Sequence, residues 1–228
     1  MRRALGLVIM MLVIVSLASA ATLCSNGNSL SVYITGGYSC YIAGGNGYGD
    51  TYFTNFTYTP GGTGAPAATA VSVGVTADGG LNQDQAGFNF NGPWSAGATF
   101  TISFVAHVCT AADVSASCVT SVTGSSFVGA KAQEFTPLNG TSGMTNSFGG
   151  NSLNTSSGNL TVQWVAGVNP GPTSGTWSLV FDGSGAGGVN SIEADTYQQL
   201  PGGVPEPATC ARLGCGLIVA AGLARKRR

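Results

Sequence analysis

The chain predicts an all-β body, two antiparallel sheets packed as a β-sandwich, with the jelly roll as one arrangement of it. Three observations carry this. Apolar residues recur with period two in several runs, the spacing that puts every second side chain on one face of a strand. Gly takes 36 positions and Ser, Thr and Asn are abundant, residues that favour turns and raise the cost of helices. The body carries no convincing amphipathic helix. Hydrophobic content of 43% and aromatic content of 9% are enough for a packed core and exclude wholesale disorder. Charged residues make up only 7%, where soluble proteins carry roughly a quarter, so the composition is not that of an ordinary cytosolic enzyme.

Read in order, the chain opens with Met1-Arg2-Arg3, an apolar run from Ala4 to Leu17 and the small residues Ala18-Ser19-Ala20. These are the three parts of a secretory signal peptide over residues 1–20, with cleavage by signal peptidase expected after Ala20. Residues 21–199 form the expected sandwich. Leu30, Val32 and Ile34 alternate as a strand would, the segment from Tyr52 to Tyr58 is rich in strand formers, and Val71, Val73 and Val75 alternate again. Phe88 and Phe90 mark a further strand. The strongest run is Ala98 to Val108, with Ala98, Phe100, Ile102, Phe104, Ala106 and Val108 on one face and Thr99, Thr101, Ser103 and His107 on the other. Leu160, Val162 and Trp164, then Trp177, Leu179 and Phe181, then Ile192 to Tyr197 complete the set, making eight to eleven strands. The segment from Asn139 to Gly158 reads as a long surface loop or a decorated hairpin tip, Gly183 to Gly188 as a flexible stretch, and residues 200–204 as a linker. Strand order is not readable from these patterns.

Charge is segregated. The only basic residue between Ala21 and Val204 is Lys131, set against Asp50, Asp78, Asp84, Asp113, Glu134, Asp182, Glu193 and Asp195, a net of −7 for the body. Such a surface repels phosphate backbones, so nucleic acid is excluded as a partner.

At the far end stand Pro205, Glu206 and Pro207, a mostly apolar stretch from Ala208 to Ala224, and the basic tail Arg225, Lys226, Arg227 and Arg228. At 1.5 Å per residue the 17 apolar-stretch residues reach about 25 Å as a helix, a short transmembrane span, with the basic tail held on the cytoplasmic side and the body beyond the membrane. The signal peptide requires the same topology. Over its last 25 or so residues the chain resembles the PEP-CTERM sorting segment of Gram-negative bacteria, here residues 205–228. That resemblance implies export across the inner membrane, transient anchoring, recognition of Pro205-Glu206-Pro207 by the membrane protease exosortase, and delivery to the cell surface or exterior. Its members tend to occur in bacteria that make exopolysaccharide and biofilm.

Cys24, Cys40, Cys109 and Cys118 lie in the exported body, where disulfides persist, and allow three connectivities. Pairing near neighbours, Cys24 with Cys40 and Cys109 with Cys118, is the favoured one. There is no Cys-x-x-Cys motif and one histidine, His107, which argues against zinc and against a histidine-based nucleophile triad. No catalytic residue and no cofactor is assigned. Glu193 and Asp195 project from one strand face and are the pair a secreted glycosidase would use, although such acids usually serve solubility. Asp78, Asn82 and Asp84 offer oxygens for calcium in a turn-rich segment, where Asp and Asn also stabilise turns by themselves. Tyrosines crowd the first third of the body. Of these Tyr52 and Tyr58 are the candidates for stacking on an extracellular polysaccharide, against the simpler reading that aromatics build strands.

The expectation is thus a non-catalytic surface or matrix protein, with a carbohydrate-binding module as the alternative and a glycosidase as a third reading.

Overall fold

A computed structural model describes residues 21–79, 83–138, 143–155, 161–164, 172–183 and 187–200. The signal peptide, residues 201–204 of the linker, the sorting segment at 205–228 and Asn82 lie outside the described residues.

The described residues fold into two six-stranded sheets. Sheet I holds, in order across it, β1 (Asn28–Ser29), β4 (Ser72–Gly79), β5 (Asp84–Trp94), β12 (Gly188–Gln199), β7 (Ser126–Leu138) and β10 (Thr161–Trp164). Sheet II holds β2 (Ser39–Ile42), β3 (Thr51–Gly62), β6 (Ala98–Val108), β11 (Ser174–Asp182), β8 (Gly143–Phe148) and β9 (Asn151–Thr155). Neighbouring strands pair antiparallel throughout. From β5 onward the chain alternates between sheets at every connection except β8 to β9, so the central strands of one sheet are laid down between those of the other.

The period-two reading holds best at β6, whose limits fall at Ala98 and Val108 and whose residues alternate buried and half-buried along its whole length. Its inward residues meet those of β11 in register, Phe104 beside Trp177, Ile102 beside Leu179 and Phe100 beside Phe181. Across the sandwich they meet sheet I. Phe104 packs edge-on against Phe88 at 5.5 Å, Phe53 meets Phe88 at 4.7 Å, Trp94 lies 4.7 Å from Phe100 and Phe127 lies 5.5 Å from Phe148. Such aromatic pairs contribute roughly 0.5–1.5 kcal/mol each beyond the area they bury. An aromatic seam therefore joins the two sheets.

Several elements depart from the sequence reading or refine it. Leu30, Val32 and Ile34 are not a strand: Leu30–Tyr33 form a single helical turn, α1, in which the Ile34 N–H donates to the Leu30 carbonyl. Leu30 and Tyr33 are buried while Val32 is exposed, so a spacing of three satisfies the core where a spacing of two was expected. The turn lies on the connection that carries the chain from β1 in sheet I to β2 in sheet II. β7 was not foreseen, because its inward positions include Ala130 and Ala132, too small to stand out as an apolar run. The segment expected to be a loop or hairpin tip contains a hairpin, β8 and β9, closed at Gly149 and Gly150. Both glycines have positive φ, 57° and 86°, as a tight two-residue hairpin turn requires.

The cysteines pair as near neighbours. Cys24 joins Cys40 and Cys109 joins Cys118, with Cα separations of 4.9 and 6.2 Å. The first bond fastens the N-terminal segment to β2, where the Cys24 N–H also donates to the Tyr41 carbonyl.

Candidate functional site

The chemistry concentrates on the outer face of sheet I, around its central strand. Along β12, Ile192 and Ala194 turn into the core, so Glu193 and Asp195 turn outward. Register then brings four strands into one row. Asp195 stands opposite Lys131 of β7 on one side and Gly87 of β5 on the other, and Gly87 stands opposite Thr76 of β4.

Gly87 is what makes the row into a site. A methyl group there would collide with the Asp195 carboxylate and with the Ala194 carbonyl. With only a hydrogen at Gly87, the Asp195 side chain lies across β5 and reaches β4. Its Oδ1 accepts from the Thr76 hydroxyl at 2.5 Å and its Oδ2 from the Gln85 side-chain amide at 2.8 Å. The Lys131 ammonium stands 2.9 Å from the same Oδ2 and also pairs with Glu193. The Asp195 side chain has no solvent exposure, while those of Glu193 and Lys131 retain 11% and 15%.

The electrostatics follow from that burial. Loss of solvent and the Glu193 carboxylate beside it raise the Asp195 carboxyl well above the ordinary carboxylate range, although Thr76 and Lys131 pull the other way. Burial lowers Lys131, but the Glu193 and Asp195 carboxylates outweigh it and leave its affinity for a proton above the ordinary lysine value. Burial and the Asp195 charge also raise the Tyr197 phenol.

Of the expected site residues, Glu193 and Asp195 do come together, and they share one ammonium. Thr76, Gln85 and Gly87 carry no sequence signal for this site, and Lys131 enters the sequence reading only as the lone cation of the body. The available signal was Lys131 itself, since a lone cation in a body of eight acids finds an acid partner.

The tyrosine pair separates. β3 carries a register shift between Thr54 and Thr57, with Asn55 at φ 56°. Tyr52 pairs with outward His107, while Tyr58, beyond the shift, pairs with core Ile102. Tyr58 donates to the Pro66 carbonyl and accepts from the Trp94 indole N–H, so it belongs to the sandwich rim and does not share a surface with Tyr52. On an unbroken strand residues an even number apart share a face; the extra residue at the shift reverses Tyr58 relative to Tyr52. Tyr52 is half-buried, stacks on His107 with ring centres 4.6 Å apart, and donates to Asp113. Burial lowers the His107 imidazole, against the opposing pull of Asp113.

The calcium candidates are also divided. Asp84 is buried and accepts the Gly45 N–H, whereas Asp78 is exposed and Asn82 lies outside the described residues. Burial raises Asp84 to about 6, helped by the Asp50 and Asp78 charges and opposed by the Gly45 hydrogen bond. Asp50, buried nearby, accepts backbone N–H groups from Gly44, Val119 and Thr120 and so ties the loop before β3 to the disulfide loop after β6. Among the described residues no cluster of three or more His, Cys, Asp and Glu side chains is arranged to hold a metal ion.

No protein family, no curated protein and no solved structure matches this chain.

Proposed function

We propose that the chain is an exported protein processed by exosortase, and that its sandwich body serves without catalysis in the cell envelope or a biofilm matrix. The observation that carries this reading is the succession at residues 205–228 of Pro-Glu-Pro, apolar stretch and basic tail behind a body preceded by a signal-peptide pattern. Two disulfides in a body with a single cation support it, since such bonds persist in oxidising compartments outside the cytoplasm. The strand orders β5-β12-β7-β10 and β6-β11-β8-β9 support reading the sandwich as a jelly roll widened by β1 to β4.

The test is the intact mass and terminal peptides of the protein from envelope and medium fractions of its native host. Loss of Met1 to Ala20 and of the segment beyond Pro207 is expected. Retention of Arg225 to Arg228 in the mature protein would overturn processing and leave a membrane-anchored protein.

A glycan-binding role is the second reading, favoured by one feature. Tyr41, Tyr52 and His107 form a half-exposed aromatic row across β2, β3 and β6 on the outer face of sheet II. Saturable binding on a glycan panel, weakened tenfold or more by Tyr52→Ala, is the outcome this reading requires.

A further inference from the structure

We infer that Lys131 and Asp195 are a covalent cross-link site, at which the Lys131 Nζ becomes joined to the Asp195 side chain as an intramolecular amide between β7 and β12. The inference stands on geometry. The two residues are direct partners in adjacent antiparallel strands, with the amine nitrogen 2.9 Å from a carboxyl oxygen of Asp195. Holding reactants in this way turns a bimolecular condensation into a unimolecular one.

The remaining parts of the reaction surround the pair. Both oxygens of Asp195 already receive protein donors, Thr76 on Oδ1 and Gln85 on Oδ2, which are set to stabilise the oxyanion formed when nitrogen attacks the carboxyl carbon. Glu193, in contact with the same ammonium, is the proton carrier. Through it one ammonium proton passes to the Asp195 carboxylate, leaving a neutral amine beside a neutral acid. The amine then attacks Cγ, a second proton returns through Glu193 to the departing hydroxyl, and water leaves. One N–C bond forms and one C–O bond breaks. Ammonium and carboxylate charges disappear together, Glu193 ends as the carboxylate it began as, and no electrons are transferred, so the reaction needs no oxidant or cofactor.

Burial favours this outcome, because an ion pair without solvent is costly and a hydrogen-bonded amide much less so. Burial and Glu193 bias Asp195 toward its protonated form, while the Glu193 and Asp195 carboxylates hold the proton on Lys131, so the neutral amine and acid are a minor state that removal of water from the site drains forward. Asp195, with no exposure and donors from two other strands, is fixed as the acyl group; Glu193, more exposed, is left to move protons.

The composition supplies a direct test. Lys131 is the only Lys or Arg between Arg3 and Arg212, hence the only tryptic site in the body. Full-length protein, exported under its own signal and purified, is reduced, denatured and digested with trypsin. An amide at Lys131 blocks cleavage there, leaves the body in one piece lighter by one water than its sequence requires, and gives a branched peptide joining Lys131 to Asp195 under a second protease. Lys131→Arg and Asp195→Ala restore cleavage, and Glu193→Gln lowers the cross-linked fraction. Complete cleavage of the parent chain at Lys131, a body mass without loss of water, or a branch located at Glu193 would each overturn the assignment. Blocked cleavage at Lys131 and the branched peptide do not depend on how the chain ends are processed, so these two readouts separate the cross-link from the sorting proposal.

Discussion

Gly87 shows how one absent side chain shapes a site. Because nothing projects from β5 at that point, Asp195 crosses it to reach Thr76, and the ion cluster closes beneath solvent. Gly87→Ala is expected to lose about 1–3 kcal/mol, the usual cost of overpacking, and to expose Lys131; urea denaturation and the rate of lysine acetylation would register the two effects. Asp84 gives a pH prediction. Its folded value is raised to about 6 from the ordinary 3.8, so the folded state binds more protons than the unfolded chain in that interval. Its contribution therefore makes the fold less stable as pH rises from 3.8 to about 6 and more stable as pH falls through the same range. Asp84→Asn keeps an acceptor for Gly45 and removes the charge. The variant should melt higher than the parent at pH 7, with the difference shrinking as pH falls through about 6 toward 3.8; a pH-independent difference would contradict this origin. Among the site residues, the carboxylates could be read from the sequence because i and i+2 on a strand share a face. Thr76, Gln85 and Gly87 could not, since only the pairing of β4, β5 and β12 brings them beneath Asp195.

At the scale of elements, the bulge in β3 decides which aromatics face solvent. Asn55 occupies left-handed backbone at φ 56°, where a branched side chain clashes and glycine does not. Asn55→Val should cost about 1–2 kcal/mol, and Asn55→Gly should cost nothing or stabilise slightly; urea midpoints with unchanged slopes would measure both. Strands with large alternating side chains, β6 and β11 above all, were legible because burial and period coincide residue by residue. β7 carries little signal because small residues, Ala130 and Ala132, share its inner face with Phe127, and α1 departs from the even spacing because Leu30 and Tyr33, three apart, are the residues its turn buries. The bulge had no signal at all: a single inserted residue leaves composition and local pattern unchanged.

At the scale of the molecule, stability rests on a seam of aromatic contacts and on two covalent ties at the N-terminal half. The bond between Cys24 and Cys40, 16 residues apart, should contribute about 3 kcal/mol by restricting the unfolded chain. Replacing both cysteines by serine should lower unfolding free energy by about that amount in urea titration, whereas an unchanged midpoint would mean that β1 and α1 hold the N-terminal segment without it. The sandwich class was readable from sequence and near-neighbour disulfide pairing was the favoured of three connectivities there, because composition, period two and proximity of cysteines are local properties. Strand order was not, since it depends on partners far apart along the chain.

β12 is the last strand among the described residues yet lies in the interior of sheet I, hydrogen-bonded to β5 on one side and β7 on the other. Until it arrives, those two strands face each other across an empty lane, and each is an unpaired edge open to another chain. A body emerging N-terminus first must therefore wait for nearly its whole length before sheet I can close, and insertion of this long-range strand is the step expected to be slow. Cutting the chain before Gly188 removes the keystone, not the fringe, and the product should collect in aggregates instead of persisting as a shortened domain.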